Sequence, residues 1–267
     1  RIKKADKNCG TTDPNLPQDL RTDRPKTVVR NTAALPIDVN VNGMNLRCQL
    51  TDNYSEKKFV FTPWRYDAKE REMLKATLAG GGTFIDIGAN VGLYTLTAAR
   101  AMAGQPGKIV AFEPNPLTMA RLKTNVATNS SWTHGKVLLL NHGVADQETS
   151  FTLNIDSNNL GASSISADKG RSSTSDEAKT IEIPCRPLLT TLSELEITKI
   201  TALKIDIEGA EDIALMPFLA DAPGPLLPRL LIIENSEDRW TSDVYSALKD
   251  RGYTESYRGR MNSVYRL

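Results

Sequence analysis

A short stretch, FIDIGANVG at 84–92, constrains this chain more than any other. Phe84, Ile85 and Ile87 form an apolar run that leads into a glycine-spaced turn, and LYTLTAARAM follows with helical spacing. Strand, glycine turn and helix in that order is how a doubly wound sheet builds a pocket for a nucleotide-like ligand. Small residues let a ligand approach the backbone, and free N–H groups at the helix start face its anionic parts. The dinucleotide version of this turn reads G-x-G-x-x-G. Here the pattern is Gly88-x-Asn90-x-Gly92, with Asp86 ahead of it and Thr95, not glycine, three residues after Gly92. An acid at the strand end adds little to a pyrophosphate cradle but suits a ligand that carries positive charge.

The rest of the chain continues the alternation. Strands are expected at 83–87, 108–112, 137–140, 202–207 and 230–234. Helices are expected at 66–78, 93–102, 116–128, 210–218 and 242–250, with a short one near Leu192. Asn115-Pro116 starts the third of these and the triple glycine 80–82 ends the first. The pattern breaks at 150–155 and 180–184, which read as an inserted hairpin over about 150–186 joined by a Ser/Gly/Asp-rich loop. The end, YTESYRGRMNSVYRL, reads as two antiparallel strands around Gly259. Ahead of the alternation, 37–41 and 46–50 flank Asn42-Gly43, a hairpin signal. The expected division is a polar arm at 1–35, a small β element at 36–65 and an α/β domain at 66–267.

Ligands of open α/β sheets bind beyond the carboxyl ends of the strands. Those ends are acidic here: Asp86, Glu113, Asp206 with Glu208, and Glu234. Glu113, in AFEPNP, is placed to accept from two ribose hydroxyls, as acids do in nucleotide-binding βαβ units. Pro114 and Val144 would then flank a base, and Asp146 would accept from its exocyclic amine. Asp206 is read inside a strand between Ile205 and Ile207, where an unpaired carboxylate is costly. Glu211 either edges the site or stabilises a helix N-terminus, and Glu234 either contacts a substrate or caps the next helix.

Composition narrows the class. The 267 residues are 40% hydrophobic and 24% charged, with a net charge of +1. That balance fits a globular α/β domain and argues against nucleic acid as a partner. Three cysteines, Cys9, Cys48 and Cys185, lie far apart without metal-ligand spacing. They point to a reducing, cytoplasmic setting. No run is long enough to span a membrane. The acids show no diagnostic metal spacing, so no metal is expected. A chain opening on Arg1 leaves room for a leader or further domain ahead of it.

FIDIGANVGLYT, AFEPNP, NLGASSIS and LKIDIEGAE, in that order, resemble the FkbM-type S-adenosylmethionine-dependent methyltransferases. The resemblance covers roughly 66–235. It implies a Rossmann-like methyltransferase fold, with a mostly parallel seven-stranded sheet closed by the C-terminal antiparallel hairpin. It implies S-adenosylmethionine as cofactor, on Asp86, Gly88, Asn90 and Gly92 at the turn and Glu113 at the ribose. It also implies O-methylation of a hydroxyl on a sugar, polyketide or related small metabolite, with Asp206, Glu208 and Glu211 at the active-site edge. The family's tyrosine ahead of the first helix falls on Trp64 or Tyr66. Asp206, which also faces the sulfonium, or Glu208 is the expected base, and His142 is the rival. A homodimer is compatible with this reading. A silent cofactor-binding scaffold and a nicotinamide dehydrogenase are the alternatives; the missing glycine speaks against the second.

Overall fold

In the computed structural model, the alternation of apolar strands and amphipathic helices closes into one seven-stranded sheet flanked on both faces. The structure describes residues 27–29, 35–155, 164–166 and 179–267. In chain order the elements are β1 (Thr27–Val29), β2 (Ile37–Val41), β3 (Met44–Cys48), α1 (Tyr54–Phe61), α2 (Ala68–Leu78), β4 (Gly82–Ile87) and α3 (Leu93–Ala101). Then follow β5 (Gly107–Phe112), α4 (Pro116–Ala127), α5 (Ser130–Thr133), β6 (Val137–Leu140), β7 (Gly143–Val144), β8 (Thr149–Ile155), β9 (Ser164–Ser166) and β10 (Lys179–Arg186). The last are α6 (Leu188–Glu194), β11 (Ala202–Ile205), α7 (Glu211–Asp221), β12 (Leu230–Glu234), α8 (Val244–Asp250), β13 (Thr254–Arg258) and β14 (Asn262–Arg266).

The main sheet runs β13-β14-β12-β11-β4-β5-β6. It is parallel from β12 to β6, and β14 and β13 add antiparallel at the far edge. The chain builds outward from β4 to β6, then crosses back to β11 on the other side of β4. That reversal opens a crevice at the carboxyl ends of β4 and β11, the place where such sheets bind ligands.

Strand alternation decides which side chains face which helices. Ile85, Ile87, Leu203, Ile205 and Ile233 pack with Leu192, Leu215, Phe218 and Leu248 from α6, α7 and α8. Phe84, Ala202 and Ile232 pack on the opposite face with Leu74 and Leu78 of α2, Ala98 of α3 and Met102 just past its end. Each fully buried Leu, Ile or Phe contributes about 1.5–3 kcal/mol of transfer free energy. Asp86 and Lys204 share the α2–α3 face and are direct partners in the parallel register. A carboxylate and an ammonium are thereby placed side by side in the core.

The N-terminal sheet β1-β2-β3 packs on α1 and α3, with Phe59, Val91 and Leu96 under it. Its inner edge is tied to α4 and to the start of α5 by asparagines: the Arg47 N–H donates to Asn125 Oδ1 at 2.8 Å and the Asn45 N–H to Asn129 Oδ1 at 2.9 Å. The inserted segment forms a separate sheet, β7-β10-β8-β9, in which β8 and β10 are antiparallel partners.

Several expectations shift. The second strand of the N-terminal hairpin spans Met44–Cys48 rather than 46–50, because the two-residue turn pairs Val41 directly with Met44. The segment expected to be purely β contains helix α1, started by Asn53, whose side chain accepts from the Glu56 N–H. The first helix of the α/β domain begins at Ala68 because Asp67 has a left-handed backbone, φ 42°. Strand β11 stops at Ile205, so Asp206 lies just past the strand, not within it. Residues 1–26 of the arm and 159–163 of the glycine-serine loop lie outside the described residues.

Candidate active site

The pocket at the crevice is lined by Gly88, Ala89 and Asn90 from the turn after β4, and by Phe112, Glu113, Pro114 and Asn115 after β5. Lys204, Asp206, Ile207 and Glu208 follow from β11, and Gly143, Val144, Leu153 and Ile183 come from the inserted sheet. Ser55 and Tyr66 reach it from the N-terminal region, and Leu93 and Tyr94 from α3.

The turn is shaped by backbone that few residues adopt. Gly88 has φ 74°, and a Cβ there would stand 1.9 Å from the Asp206 carbonyl oxygen. Only glycine lets the β4 and β11 ends close to this distance. Asn90 follows with φ 51°, a conformation asparagine tolerates. Its side chain accepts from Asn53 Nδ2 at 2.8 Å, so the start of α1 braces the turn.

Glu113 is held by backbone alone. The Asn90 N–H donates to its Oε2 at 2.8 Å and the Asn115 N–H to its Oε1 at 2.9 Å. Burial pushes its pKa up to about 7, although those two N–H groups work in the other direction.

Lys204 is the cation of the site and is 4% exposed. Its Nζ donates to the Gly88 carbonyl at 2.9 Å, stands 3.3 Å from Asp206 Oδ2 and lies over the Tyr94 ring. Burial alone would lower its pKa, but the charges of Asp206 and Asp86 raise it. Asp86 itself is fully buried, accepts from Thr95 Oγ1, and has its other oxygen unpartnered. Burial raises its pKa and Lys204 counters.

The rim beyond β11 and β12 is acidic. Glu208 is pushed up to about 7 by burial and then by Asp206, with Arg239 opposing at 3.7 Å. Glu234 is pushed upward by burial and then by Asp206 and Glu208. Oxygens of Asp206, Glu208 and Glu234 all lie within 4.8 Å of one another.

Of the residues singled out in the sequence, the fold brings Gly88, Asn90, Glu113, Pro114, Val144, Asp206 and Glu208 to one pocket. Others fall elsewhere. Asp86 and Gly92 do not line it; they sit in the turn's support, with Gly92 at the start of α3. His142 does not line it either: its ring packs edge-on against Phe112 and its Nδ1 faces the Gly143 carbonyl at 2.9 Å. It therefore backs a wall residue of the pocket. Asp146 is exposed on the surface past β7, away from the pocket lining, so a place for it beside an adenine amine is not supported. Glu211 is fully buried and committed: Oε1 accepts from the Ile207 and Gly209 N–H groups, and Oε2 from Trp240 Nε1 at 2.8 Å. It braces the loop that carries Glu208. Tyr66, not Trp64, lines the pocket. Sequence reasoning missed Lys204, Ser55 and Tyr94. Lys204 carried a signal, since a lysine within an apolar strand needs a buried anion.

A parallel sheet with a late antiparallel hairpin and an acid-rimmed pocket at its reversal defines a Rossmann-like methyltransferase. The profile of the methyltransferase FkbM domain matches residues 86–254, and the chain belongs to that family. S-adenosylmethionine is thereby the implied methyl donor. Among solved structures, methyltransferase FkbM from Methylobacillus flagellatus KT is 16% identical over 81% of this chain and 55% of that one, with a TM-score of 0.45. This chain thus spans about half the length of that relative. An rRNA methylase from Streptococcus thermophilus is 11% identical over 74% of this chain and 94% of its own, with a TM-score of 0.43. TrmK from M. capricolum, in complex with S-adenosyl-homocysteine, is 10% identical over 73% and 65%, with a TM-score of 0.42. No curated protein matched the sequence. No helix among the described residues is long and apolar enough to cross a membrane.

The pocket fits that donor. Phe112, Pro114, Val144, Leu153 and Ile183 offer an apolar slot for a purine, Glu113 an acceptor for a diol, and the acidic rim a partner for positive charge.

Proposed function

We propose that the chain is an O-methyltransferase that moves a methyl group from S-adenosylmethionine to a hydroxyl of a sugar, polyketide or related small metabolite. The observation that carries this reading is the pairing of an ordered glycine turn with the Asp206–Glu208 carboxylates on one pocket wall. When bound, S-adenosylmethionine supplies an activated methyl group and a sulfur leaving group.

The chain's own residues orient the reactants and handle a proton. Glu113 is preset by the Asn90 and Asn115 N–H groups to accept from the ribose hydroxyls. Lys204 fixes Asp206 beside the turn, with its ammonium shared between Asp206 and the Gly88 carbonyl. The acceptor hydroxyl loses its proton to Asp206 or Glu208. Burial raises Glu208 toward neutrality, which matches a base to its working pH. Tyr66, Leu93 and Tyr94 add apolar surface to the pocket that carries these groups, which limits water there. The near-neutral net charge of +1 supports a small acceptor over nucleic acid. Buried free thiols at Cys48 and Cys185 support a cytoplasmic setting.

The test is incubation with S-adenosylmethionine and a panel of hydroxylated sugars and polyketides, read by mass spectrometry. The expected result is a methyl-ether product and one S-adenosylhomocysteine per methyl transferred. Methylation confined to nitrogen or to RNA would overturn the acceptor assignment.

A further inference from the structure

The geometry points to a divalent-cation site made by Asp206, Glu208 and Glu234. No metal-ligand spacing shows along the chain because the third ligand sits on the neighbouring strand. Register continues from Ile205 opposite Ile233, which places the residues after them, Asp206 and Glu234, side by side at the strand ends. Glu208 joins them from the turn.

Two observations are independent of each other. First, one oxygen of each carboxylate lies within 4.8 Å of the other two. Oxygens bound to one cation at about 2.4 Å stand at most about 4.8 Å apart, and at about 2.1 Å at most about 4.2 Å. A spacing up to that bound admits Ca²⁺ directly, and the smaller Mn²⁺ and Mg²⁺ after an inward shift of the carboxylates. Second, Glu234 is only 9% exposed and one of its oxygens has no hydrogen-bond partner, although Ser236 hydrogen-bonds the carboxyl. A buried oxygen left unpartnered beside two further carboxylates lacks a positive partner.

The protein's own cations do not fill that role. Lys204 is 3.3 Å from Asp206 and already donates to the Gly88 carbonyl. Arg239 stands 3.7 Å from Glu208 with its side chain 54% exposed. Among the described residues Glu234 makes no ion pair. An all-oxygen, all-carboxylate set selects a hard divalent ion over zinc or copper.

The inference rests on the methyl-transfer reading for its use. Asp206 and Glu208 line the pocket, so a cation there takes an acceptor oxygen as a further ligand. That lowers the pKa of the hydroxyl, and its proton passes to a carboxylate oxygen not engaged on the cation.

The experiment uses the whole chain stripped with EDTA and titrated with Mn²⁺, with free Mn²⁺ read by electron paramagnetic resonance. One Mn²⁺ per chain is expected, displaced by Mg²⁺ or Ca²⁺, with binding weakened at least about tenfold in Glu234→Gln and in Glu208→Gln. Stripped Glu234→Gln should also melt above stripped wild type, and its melting should no longer respond to Mg²⁺. Glu208→Gln decides the matter if the buried substitution does not fold, because Glu208 is partly exposed. Absence of Mn²⁺ binding, or binding unchanged in every variant that folds, overturns the site. Calorimetry with S-adenosylhomocysteine on the same samples separates the two readings. Nucleoside binding without a Mn²⁺ site removes the cation alone; a Mn²⁺ site without nucleoside binding removes the methyl-transfer reading.

Discussion

The two ends of the pocket treat their carboxylates in opposite ways. At the glycine-turn end, both oxygens of Glu113 are met by backbone N–H groups, and Asn90 is braced from α1 by Asn53. At the acidic rim, Glu234 keeps an oxygen without a partner, and Glu208 has only a long contact to a half-exposed arginine. Glu113 is fully hydrogen-bonded before any ligand arrives. The rim crowds carboxylates that the fold does not neutralise. A preorganised end binds, whereas an under-satisfied end is where charge is expected to change during a reaction. Lys204 joins the two, touching the turn carbonyl and the rim carboxylate at once.

The largest effect should come from the rim. Of Asp206→Asn and Glu208→Gln, the variant that removes the base is expected to lower turnover by roughly 10²–10⁴-fold, the usual worth of such a group. Calorimetry should show Glu208→Gln binding S-adenosylhomocysteine within a few-fold of wild type. Near-normal turnover in both variants would break the contrast between a binding end and a reacting end.

Next comes the link between them. Lys204→Met leaves Asp86 and Asp206 without their cation and is expected to cost about 3–5 kcal/mol in a urea melt. An unchanged midpoint would show that the two ends are independent.

Glu113 sharpens the comparison through pH. Its carboxyl rises from an ordinary 4.5 to about 7 on folding. The folded chain therefore holds a proton there that the unfolded chain releases, and the associated stability is complete below about 4.5 and gone above about 7. The loss is on the order of 3 kcal/mol. The difference between wild type and Glu113→Gln in denaturant melts across that window should carry this slope. Ribose hydroxyls need the ionised acceptor, so wild-type affinity for S-adenosylhomocysteine should rise with pH through about 7. Glu113→Gln should flatten that rise and weaken binding by roughly 10–100-fold, the worth of one charged hydrogen bond.

The smallest effects are expected away from the pocket. His142→Ala and Asp146→Asn should change turnover far less than the roughly 10²-fold that loss of a base brings. A base-sized loss in His142→Ala would restore the histidine as a rival.

Much of this was legible in the sequence because it is local. The strand-turn-helix at 84–101 and the acids at the strand ends are set by nearest neighbours and by alternation. The Gly88 turn needs no knowledge of the rest of the chain. What was not legible depends on cross-strand register. A lysine among Leu203 and Ile205 demands an anion, and the fold supplies Asp206 at 3.3 Å, with Asp86 opposite in the register. The metal-like trio escaped because Glu234 meets Asp206 only across two strands. Glu211 read equally well as an edge residue or a helix-end acid, and tertiary contact with Trp240 decides it as a brace. Helix α1 carried a readable start in Asn53 and Glu56, overlooked beside the stronger hairpin signal of Asn42-Gly43.

A crystal structure of the whole chain with S-adenosylhomocysteine tests the central claim most directly. The expected result is ribose hydroxyls on Glu113, the purine between Phe112 and Val144, and the sulfur directed at Asp206 and Glu208. Nucleoside bound elsewhere, or bound with its sulfur turned away from the acidic rim, would contradict the account.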